Sequence, residues 1–170
     1  MILINRLAID EKRAPFSPTL WSLPPDNTKT KLKQVWFSGC HSSAGGGEPC
    51  HGLSNITIAW MAQQVHELTD LELDVDYLSG MRKRGDDSMA APWGCAPWQN
   101  SYKGIFRFSG AVVRKPGTYS TYFPEGHTTN EYIHRSVYER INNKDANYNP
   151  SDLSHLSEDK FGEIEEKLRW

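Results

Sequence analysis

The sequence predicts an α/β fold, and three consecutive features carry that prediction. Residues 32–37 (LKQVWF) form an apolar run rich in β-branched and aromatic side chains, which is typical of a buried strand. A glycine-rich loop follows at residues 40–52 (CHSSAGGGEPCHG). Beyond Ser54, the apolar residues have the spacing of a helix that is buried on several sides. Strand, loop and helix in this order indicate one unit of an α/β sheet.

Size, composition and charge limit the class of protein. The 170 residues have a mass of 19.3 kDa and include 38% hydrophobic and 24% charged residues, which is enough for one globular domain or a part of one. The net charge of −2 provides no basic field for nucleic acid and no cationic face for an anionic membrane. We therefore expect no nucleic-acid partner.

The same composition bears on location. No stretch approaches the ~20 apolar residues of a transmembrane helix, and the N-terminus lacks the pattern of a signal peptide. The cysteine count is three, an odd number that argues against a secreted disulfide framework. We expect a protein of the cytoplasm with no transmembrane segment and no cofactor.

The first thirty residues divide into a strand and a loop. Residues 1–9 are predicted to form a short strand, and the charged residues Asp10, Glu11, Lys12 and Arg13 that follow are predicted to pair with one another at the surface. Four prolines make residues 14–30 an extended or looping segment. After the strand at residues 32–37 and the loop, Ser54 is the predicted N-cap of a helix over residues 54–69.

The second half of the chain predicts a hairpin and two helices. Strands at residues 104–108 and 111–114 would be joined by a turn at Ser109 and Gly110. Residues 128–131 have the form of a capping box, and the apolar spacing after them predicts a helix that ends near Asn142. A further helix is predicted in the tail, with Phe161, Ile164 and Leu168 on one stripe. We divide the chain into residues 1–143 and a linker with a C-terminal helix at residues 144–170.

His41 is the candidate catalytic residue. It lies just beyond the carboxyl end of the strand at residues 32–37, where open α/β sheets place their active sites. A histidine there can serve as a general base near neutral pH. From position alone, a loop histidine bonded to backbone is an equally good interpretation.

Other polar and aromatic residues have simpler interpretations. The pairs Cys40–His41 and Cys50–His51 lack the ligand spacing of structural zinc sites, so we predict no metal. The alternating acids at positions 72, 74 and 76 lack the glycine of a calcium loop and are predicted to be solvated. We expect Trp93 and Trp98 to pack their proline-rich loop onto the domain.

Several motifs resemble a known family. The segments QVWFSGCHSSAGGG and LSNITIAWM resemble QVWFPGVHSDVGGG and LSDIALAWM, which mark an uncharacterised α/β-hydrolase domain family related to type VI secretion phospholipase effectors and abundant in fungi. Segments AIDEKRAPFSPTLW, RKPGTY and TTNEYIHRSVYERI resemble further segments of that family, in the same order. The resemblance runs over residues 7–140 and implies an α/β-hydrolase fold of the fungal type.

The resemblance also assigns roles to residues. It implies that His41 is the histidine of a serine, acid and histidine triad, and that Gly39, Gly45, Gly46 and Gly47 form the supporting loop on the oxyanion side. The sequence departs from the family at two positions. Ser43 stands where the family usually has Asp, and Asn55 replaces the Asp at the head of the helix. A carboxylate role at either position would be weakened.

The rest of a triad is missing from the sequence. The 170 residues contain no G-x-S-x-G nucleophile elbow and no W-D-T segment for the acid, and no serine or cysteine precedes Asp10. We therefore expect the C-terminal part of a hydrolase domain, acting on a lipid or an ester only when completed by the missing half, and inactive alone. The alternative is a non-catalytic interaction protein. In either case we expect an exposed sheet edge that favours self-association.

Overall fold

A computed structural model describes residues 1–74, 93–100, 102–150 and 153. The six main elements are β1 (Ile2–Ala8), β2 (Lys31–Phe37), α1 (His41–Gly45), α2 (Gly52–Leu68), β3 (Glu131–Ile133) and α3 (Arg135–Asn142). The strands form a parallel sheet in the order β1-β2-β3. This arrangement confirms the α/β class and the two predicted strands at residues 1–9 and 32–37.

The sheet has a core on each face because successive side chains of a strand point to opposite sides. On one face, Val35 and Phe37 of β2 pack on Ile56 and Trp60 of α2, and the rings of Phe37 and Trp60 lie 5.4 Å apart. Trp93 packs against this cluster, as predicted for its loop. The α2 face is thus closed by a helix and an aromatic loop.

The other face is closed by α3 and by the segment that follows it. Register pairs Leu7 of β1 with Trp36 of β2, and Trp36 with Ile133 of β3, so the three side chains share one face. They form a buried cluster with Val137 of α3 and Tyr148. The central strand β2 therefore has both faces covered, which explains why residues 32–37 are apolar with almost no alternation.

The glycine-rich segment is not entirely a loop, which corrects the prediction for residues 40–52. Its first half forms the short helix α1, because the Ser43 hydroxyl accepts a hydrogen bond from the Cys40 N–H at 3.2 Å. Gly46 ends α1 with a left-handed φ of 93°. Sequence reasoning missed this helix because the triple glycine suggested irregular backbone throughout.

Helix α2 begins two residues before the predicted N-cap. Ser54 lies inside the helix, where its hydroxyl donates to the His51 carbonyl at 2.9 Å and caps nothing. Gly52 opens α2 because the helix start lies against a neighbouring loop: a Cβ there would come within 2.3 Å of the Ala96 Cβ. Tertiary packing therefore sets this boundary.

The predicted hairpin is wrong. Gly104–Ser109 is a 3₁₀ helix and not a strand, and the Phe108 side chain in it is 91% exposed. The segment after Gly110 pairs with the N-terminal loop, where the Val112 N–H donates to the Lys12 carbonyl at 2.9 Å. This contact with the N-terminal loop takes the place of the predicted pairing between residues 104–108 and 111–114.

The capping box predicted at residues 128–131 is also wrong. Glu131 belongs to β3, and its carboxylate accepts hydrogen bonds from the Trp36 indole at 2.9 Å and the Gly117 N–H at 2.8 Å. Helix α3 begins later, where His134 Nδ1 accepts from the Ser136 N–H at 3.2 Å. The predicted end near Asn142 is confirmed.

Two sequence predictions lie outside the described residues. These are the tail helix with Phe161, Ile164 and Leu168, and the environment of Asp76. Glu72 and Asp74 are exposed, as predicted. None of the described helices combines the length and the hydropathy that crossing a membrane requires.

Candidate active site

His41 lies at the carboxyl edge of the sheet, as predicted. Strand β2 ends at Phe37, the backbone turns at Gly39, and α1 begins with His41. The side chain is exposed, and its imidazole ring lies 5.2 Å from the ring of Phe16. No residue in the described part of the chain makes a hydrogen bond to this imidazole. It is therefore open to a ligand.

A cleft of about 460 Å³ adjoins His41. Its walls include the end of β1 and residues 15–19, and its basic side chains are Arg6, His41 and Arg114. No acidic side chain from the described residues lines it. The cleft thus combines a histidine with two guanidinium groups, a charge pattern that favours an anionic or strongly polarised ligand.

The cleft follows the outer edge of β1, which pairs with no other strand among the described residues. The Met1 carbonyl accepts from Lys31, and the Ile9 N–H donates to Phe37, so odd-numbered residues of the strand bond to β2. The even-numbered residues Ile4 and Arg6 therefore direct their N–H and carbonyl groups away from the sheet. One outward group is covered, since Arg114 Nη1 donates to the Ala8 carbonyl at 2.6 Å.

A buried carboxylate fixes the backbone of His41. Glu11 is 1% exposed; its Oε2 accepts from the His41 N–H at 3.2 Å, and its two oxygens accept from Arg13 at 2.7–2.8 Å. Burial alone would raise the pKa of Glu11, but the hydrogen bonds from Arg13 and from the His41 N–H outweigh it and hold the pKa at about 2. Glu11 is therefore ionised in the folded protein.

The same ion pair supports one wall of the cleft. The guanidinium of Arg13 lies 4.1 Å above the ring of Phe16, which in turn contacts the ring of His41. Glu11 pairs with Arg13, as predicted. The prediction that this pair lies at the surface is wrong, because Glu11 is buried. Sequence reasoning favoured surface pairing over a place at the edge of a site for Glu11, although its position directly after a strand is a signal for the carboxyl edge of the sheet.

The glycines of the predicted support loop have different local reasons. Gly39 has a φ of 96°, and a Cβ there would lie 2.7 Å from the Ser43 Cβ and 2.9 Å from Leu53 Cδ1. Gly46 ends α1, with Gly45 before it as the last helical residue. Gly47 follows, and a Cβ there would lie 3.4 Å from Ser42. Only Gly39 combines positive φ with a close approach under 3 Å.

Ser43 belongs to a buried polar cluster with Glu48. Its hydroxyl donates to Glu48 Oε1 at 2.8 Å, and the Cys40 thiol lies 3.4 Å from the same oxygen. The Gln99 N–H donates to Glu48 Oε2 at 3.3 Å. A carboxylate is therefore present beside position 43, supplied by Glu48. Asn55 is buried at the start of α2.

Two further titratable groups at the carboxyl edge do not line the cleft. Asp10 accepts from the Gly39 N–H at 2.6 Å and the Tyr148 hydroxyl at 2.8 Å, and burial raises its pKa. His134, which follows β3, stacks on Phe37 at 4.6 Å; burial and the charge of Lys33 lower its pKa to about 4. Both groups stabilise the end of β2 that precedes His41, through Gly39 and Phe37.

The cysteines make no disulfide: Cys40, Cys50 and Cys95 are free. Within the described parts of the chain, no three His, Cys, Asp or Glu side chains are grouped so as to hold a metal ion. His51 precedes α2 and His41 begins α1, so the two Cys-His pairs lie at the starts of separate helices.

The fold and the site define a small α/β protein whose parallel sheet carries an accessible histidine at its carboxyl edge. Residues 2–64 match a family described as T6SS, phospholipase effector Tle1-like, catalytic domain. The match covers less than half of the chain, but it contains β1, β2, α1 and His41. No curated protein and no solved structure matches the chain. The match relates this part of the protein to lipase-like hydrolases.

Proposed function

We propose that the chain supplies the histidine end of a serine hydrolase that acts on an ester or a lipid. The observation that carries this proposal is the position of His41: its imidazole opens into the cleft at the carboxyl edge of the sheet, inside the segment that matches a phospholipase catalytic domain. His41 is the general base of the proposed reaction. It takes the proton of a serine hydroxyl and returns it to the leaving group.

The chain's own residues position this base. The ionised Glu11 holds the backbone of His41, while Phe16 packs beside its ring. Arg6 and Arg114 place positive charge along the same cleft, where charge develops when an ester carbonyl is attacked. Gly39 before α1, and Gly45, Gly46 and Gly47 at its end, are the glycines that we assign to the oxyanion side.

We further propose that the nucleophile and the acid lie outside these 170 residues. The sequence has no G-x-S-x-G motif, and Asp10, the carboxylate after β1, is bonded to Gly39 and Tyr148. Both missing groups would come from sequence upstream of Met1 in a longer gene product, or from a partner chain. The protein would then be a domain of the fungal type described above, inactive until completed.

The test is activity with and without completion. The pure chain should not hydrolyse p-nitrophenyl butyrate or a fluorescent phospholipid. A fusion to an upstream segment that carries G-x-S-x-G should do so, and His41→Ala should abolish that activity while His127→Ala, a histidine distant in sequence from the cleft, should not. Esterase activity of the pure chain that His41→Ala removes would overturn the fragment proposal.

A second candidate function is a non-catalytic interaction protein. It is favoured by the outer edge of β1, which pairs with no other strand in the described part of the chain and where Arg6 lines an open cleft. An extended segment of another chain, or of a second copy, can add to such an edge. If the frame upstream of Met1 is closed and the 170-residue product accumulates in cells, this candidate replaces the first.

A further inference from the structure

Residues 102–124, here named the basic segment, differ in charge from the rest of the chain. The segment carries Lys103, Arg107, Arg114 and Lys115 and contains no aspartate or glutamate, whereas the whole chain has a net charge of −2. It also contains six aromatic residues. The overall charge therefore hides a local region that is both cationic and aromatic.

Apolar side chains in the basic segment are unusually exposed. Phe108 is 91% exposed, Tyr122 is 80% exposed and Val113 is 53% exposed. Lys103 and Arg107, which precede Phe108 in the sequence, are exposed as well. Large apolar groups in water cost free energy, so three of them close together in the sequence favour a role in binding an apolar partner.

The basic segment is attached to the wall of the cleft. The Ala14 N–H donates to the Gly110 carbonyl at 3.4 Å, and the Val112 N–H donates to the Lys12 carbonyl at 2.9 Å. Arg114 then crosses the end of β1, where it bonds the Ala8 carbonyl. These contacts fix the segment beside residues 12–16, which include the Phe16 that packs on His41.

We propose that the basic segment docks the protein onto an anionic lipid surface. Lys103 and Arg107 contact the headgroups, and Phe108 inserts its ring between them. Aromatic rings favour the membrane interface, and basic side chains are drawn to its negative charge. The inference rests on the proposed hydrolase function, since it would bring the cleft beside His41 to lipid substrates.

A lipid surface fits the segment better than nucleic acid does. Single-stranded nucleic acids also combine basic and aromatic contacts, because bases stack on aromatic rings. The exposed aliphatic side chain of Val113 cannot stack and gains only from an apolar medium. A lipid interface uses the cationic, aromatic and aliphatic side chains together.

The test is flotation of the 170-residue chain with vesicles, which separates lipid-bound protein from aggregates. The chain should float with vesicles of phosphatidylcholine and phosphatidylserine in equal parts, and much less with phosphatidylcholine alone. Lys103→Glu with Arg107→Glu should weaken binding by about tenfold or more. Phe108→Ser should weaken it to a similar degree.

Matched controls change the same chemistry elsewhere. Lys29→Glu with Lys144→Glu makes the same change of charge at exposed positions, and Leu71→Ser removes an exposed apolar side chain. Both controls should bind as the unaltered chain does. Equal losses in the controls and in the basic-segment variants would overturn the inference, as would tighter binding of a single-stranded oligonucleotide than of anionic vesicles.

The flotation result is independent of catalysis. His41→Ala should float as the unaltered chain does, because the histidine is not part of the basic segment. If the completed protein proves inactive while the chain still floats, the proposed hydrolase function fails and lipid docking stands. If the completed protein is active and does not float, docking fails and the hydrolase proposal stands.

Discussion

Gly39 and Glu11 together determine where the backbone of His41 lies. Gly39 adopts a positive φ, and a Cβ at this position would lie within 3 Å of the Ser43 Cβ. The turn from β2 into α1 therefore has no room for a larger residue. Glu11 then accepts the His41 N–H from the end of the neighbouring strand. One residue permits the turn and the other secures it.

Gly39→Ala should destabilise the protein by about 2–4 kcal/mol, because it combines a left-handed φ with a steric clash. Gly104→Ala is the matched control: its φ is also positive, at 60°, but no atom lies within 4 Å of its Cβ position. That variant should lose only about 1 kcal/mol. Urea denaturation measures both; equal losses would show that the contacts with Ser43 and Leu53 do not matter.

His134 should make the stability depend on pH. Burial, with the charge of Lys33, lowers its pKa in the folded protein from 6.5 to about 4. Between those values the unfolded chain binds a proton at position 134 that the folded chain does not, so the contribution of His134 to the free energy of unfolding rises with pH across this window and is level above 6.5. The full effect is about 3 kcal/mol.

The variant His134→Asn tests this because it keeps an acceptor for the Ser136 N–H and removes the titration. The unfolding free energy, measured by urea at several pH values, should lose most of its slope between about pH 4 and 6.5. His66→Asn, at an exposed position of α2, should keep the slope. An unchanged slope in His134→Asn would assign the pH dependence to other groups.

Elements with a strong local signal were predicted well, and those set by distant contacts were not. Strand β2 is apolar throughout because both faces are covered, and that pattern is visible in sequence. The start of α2 depends on Ala96, and Glu131 bonds Trp36 and Gly117 across the fold. No local pattern contains such partners, which is why the hairpin and both predicted caps were wrong.

The site follows the same rule. His41 was predicted because it directly follows a recognisable strand. The hydrogen bond from the His41 N–H to Glu11 was missed because it joins residues 30 positions apart and forms only when β1 and β2 pair in register. The cleft was also unpredicted, since its walls come from β1, from the loop after it and from Arg114.

Helix α1 allows a test of the serine at position 43. The Ser43 hydroxyl donates to the buried carboxylate of Glu48, so Ser43→Asp would place two carboxyl groups in contact away from water. We expect a loss of about 2–4 kcal/mol near neutral pH. The loss should shrink on acidification, because protonation of one carboxyl removes the repulsion.

The double variant Ser43→Asp with Glu48→Gln should recover much of this stability, since the amide can donate to the new carboxylate. Thermal unfolding of the two single variants and the double variant gives the coupling between the positions. A coupling near zero would mean that Glu48 does not respond to the group at position 43. Recovery would indicate that the carboxylate in this cluster can come from either position.

At the scale of the whole molecule, both faces of the sheet are covered, and among the described residues the seven-residue strand β1 forms its longer edge. The α2 and α3 sides bury the faces of β2, but β1 has no strand partner on its outer side among the described residues. Such an edge is a template for pairing with another chain. Residues 5–8 of this strand line the cleft beside His41, so strand pairing and ligand binding would compete there.

We expect the isolated chain to self-associate through β1. The Ile4 N–H points away from β2, so Ile4→Pro should remove an outward donor, keep the sheet intact and reduce the association by about tenfold. Ile4→Ala loses the same packing on the α2 face but keeps the donor, so it should still associate. Light scattering at matched concentrations measures the mass of each variant.

The Ile58→Ser variant controls for association through exposed apolar surface, because Ile58 is 44% exposed and belongs to α2, not to β1. It should associate as the unaltered chain does. A monomeric unaltered chain with a sharp, concentration-independent unfolding transition would contradict pairing at β1. Loss of association in Ile58→Ser but not in Ile4→Pro would instead place the contact on the helix, and the cleft beside His41 would then stay open in the associated form.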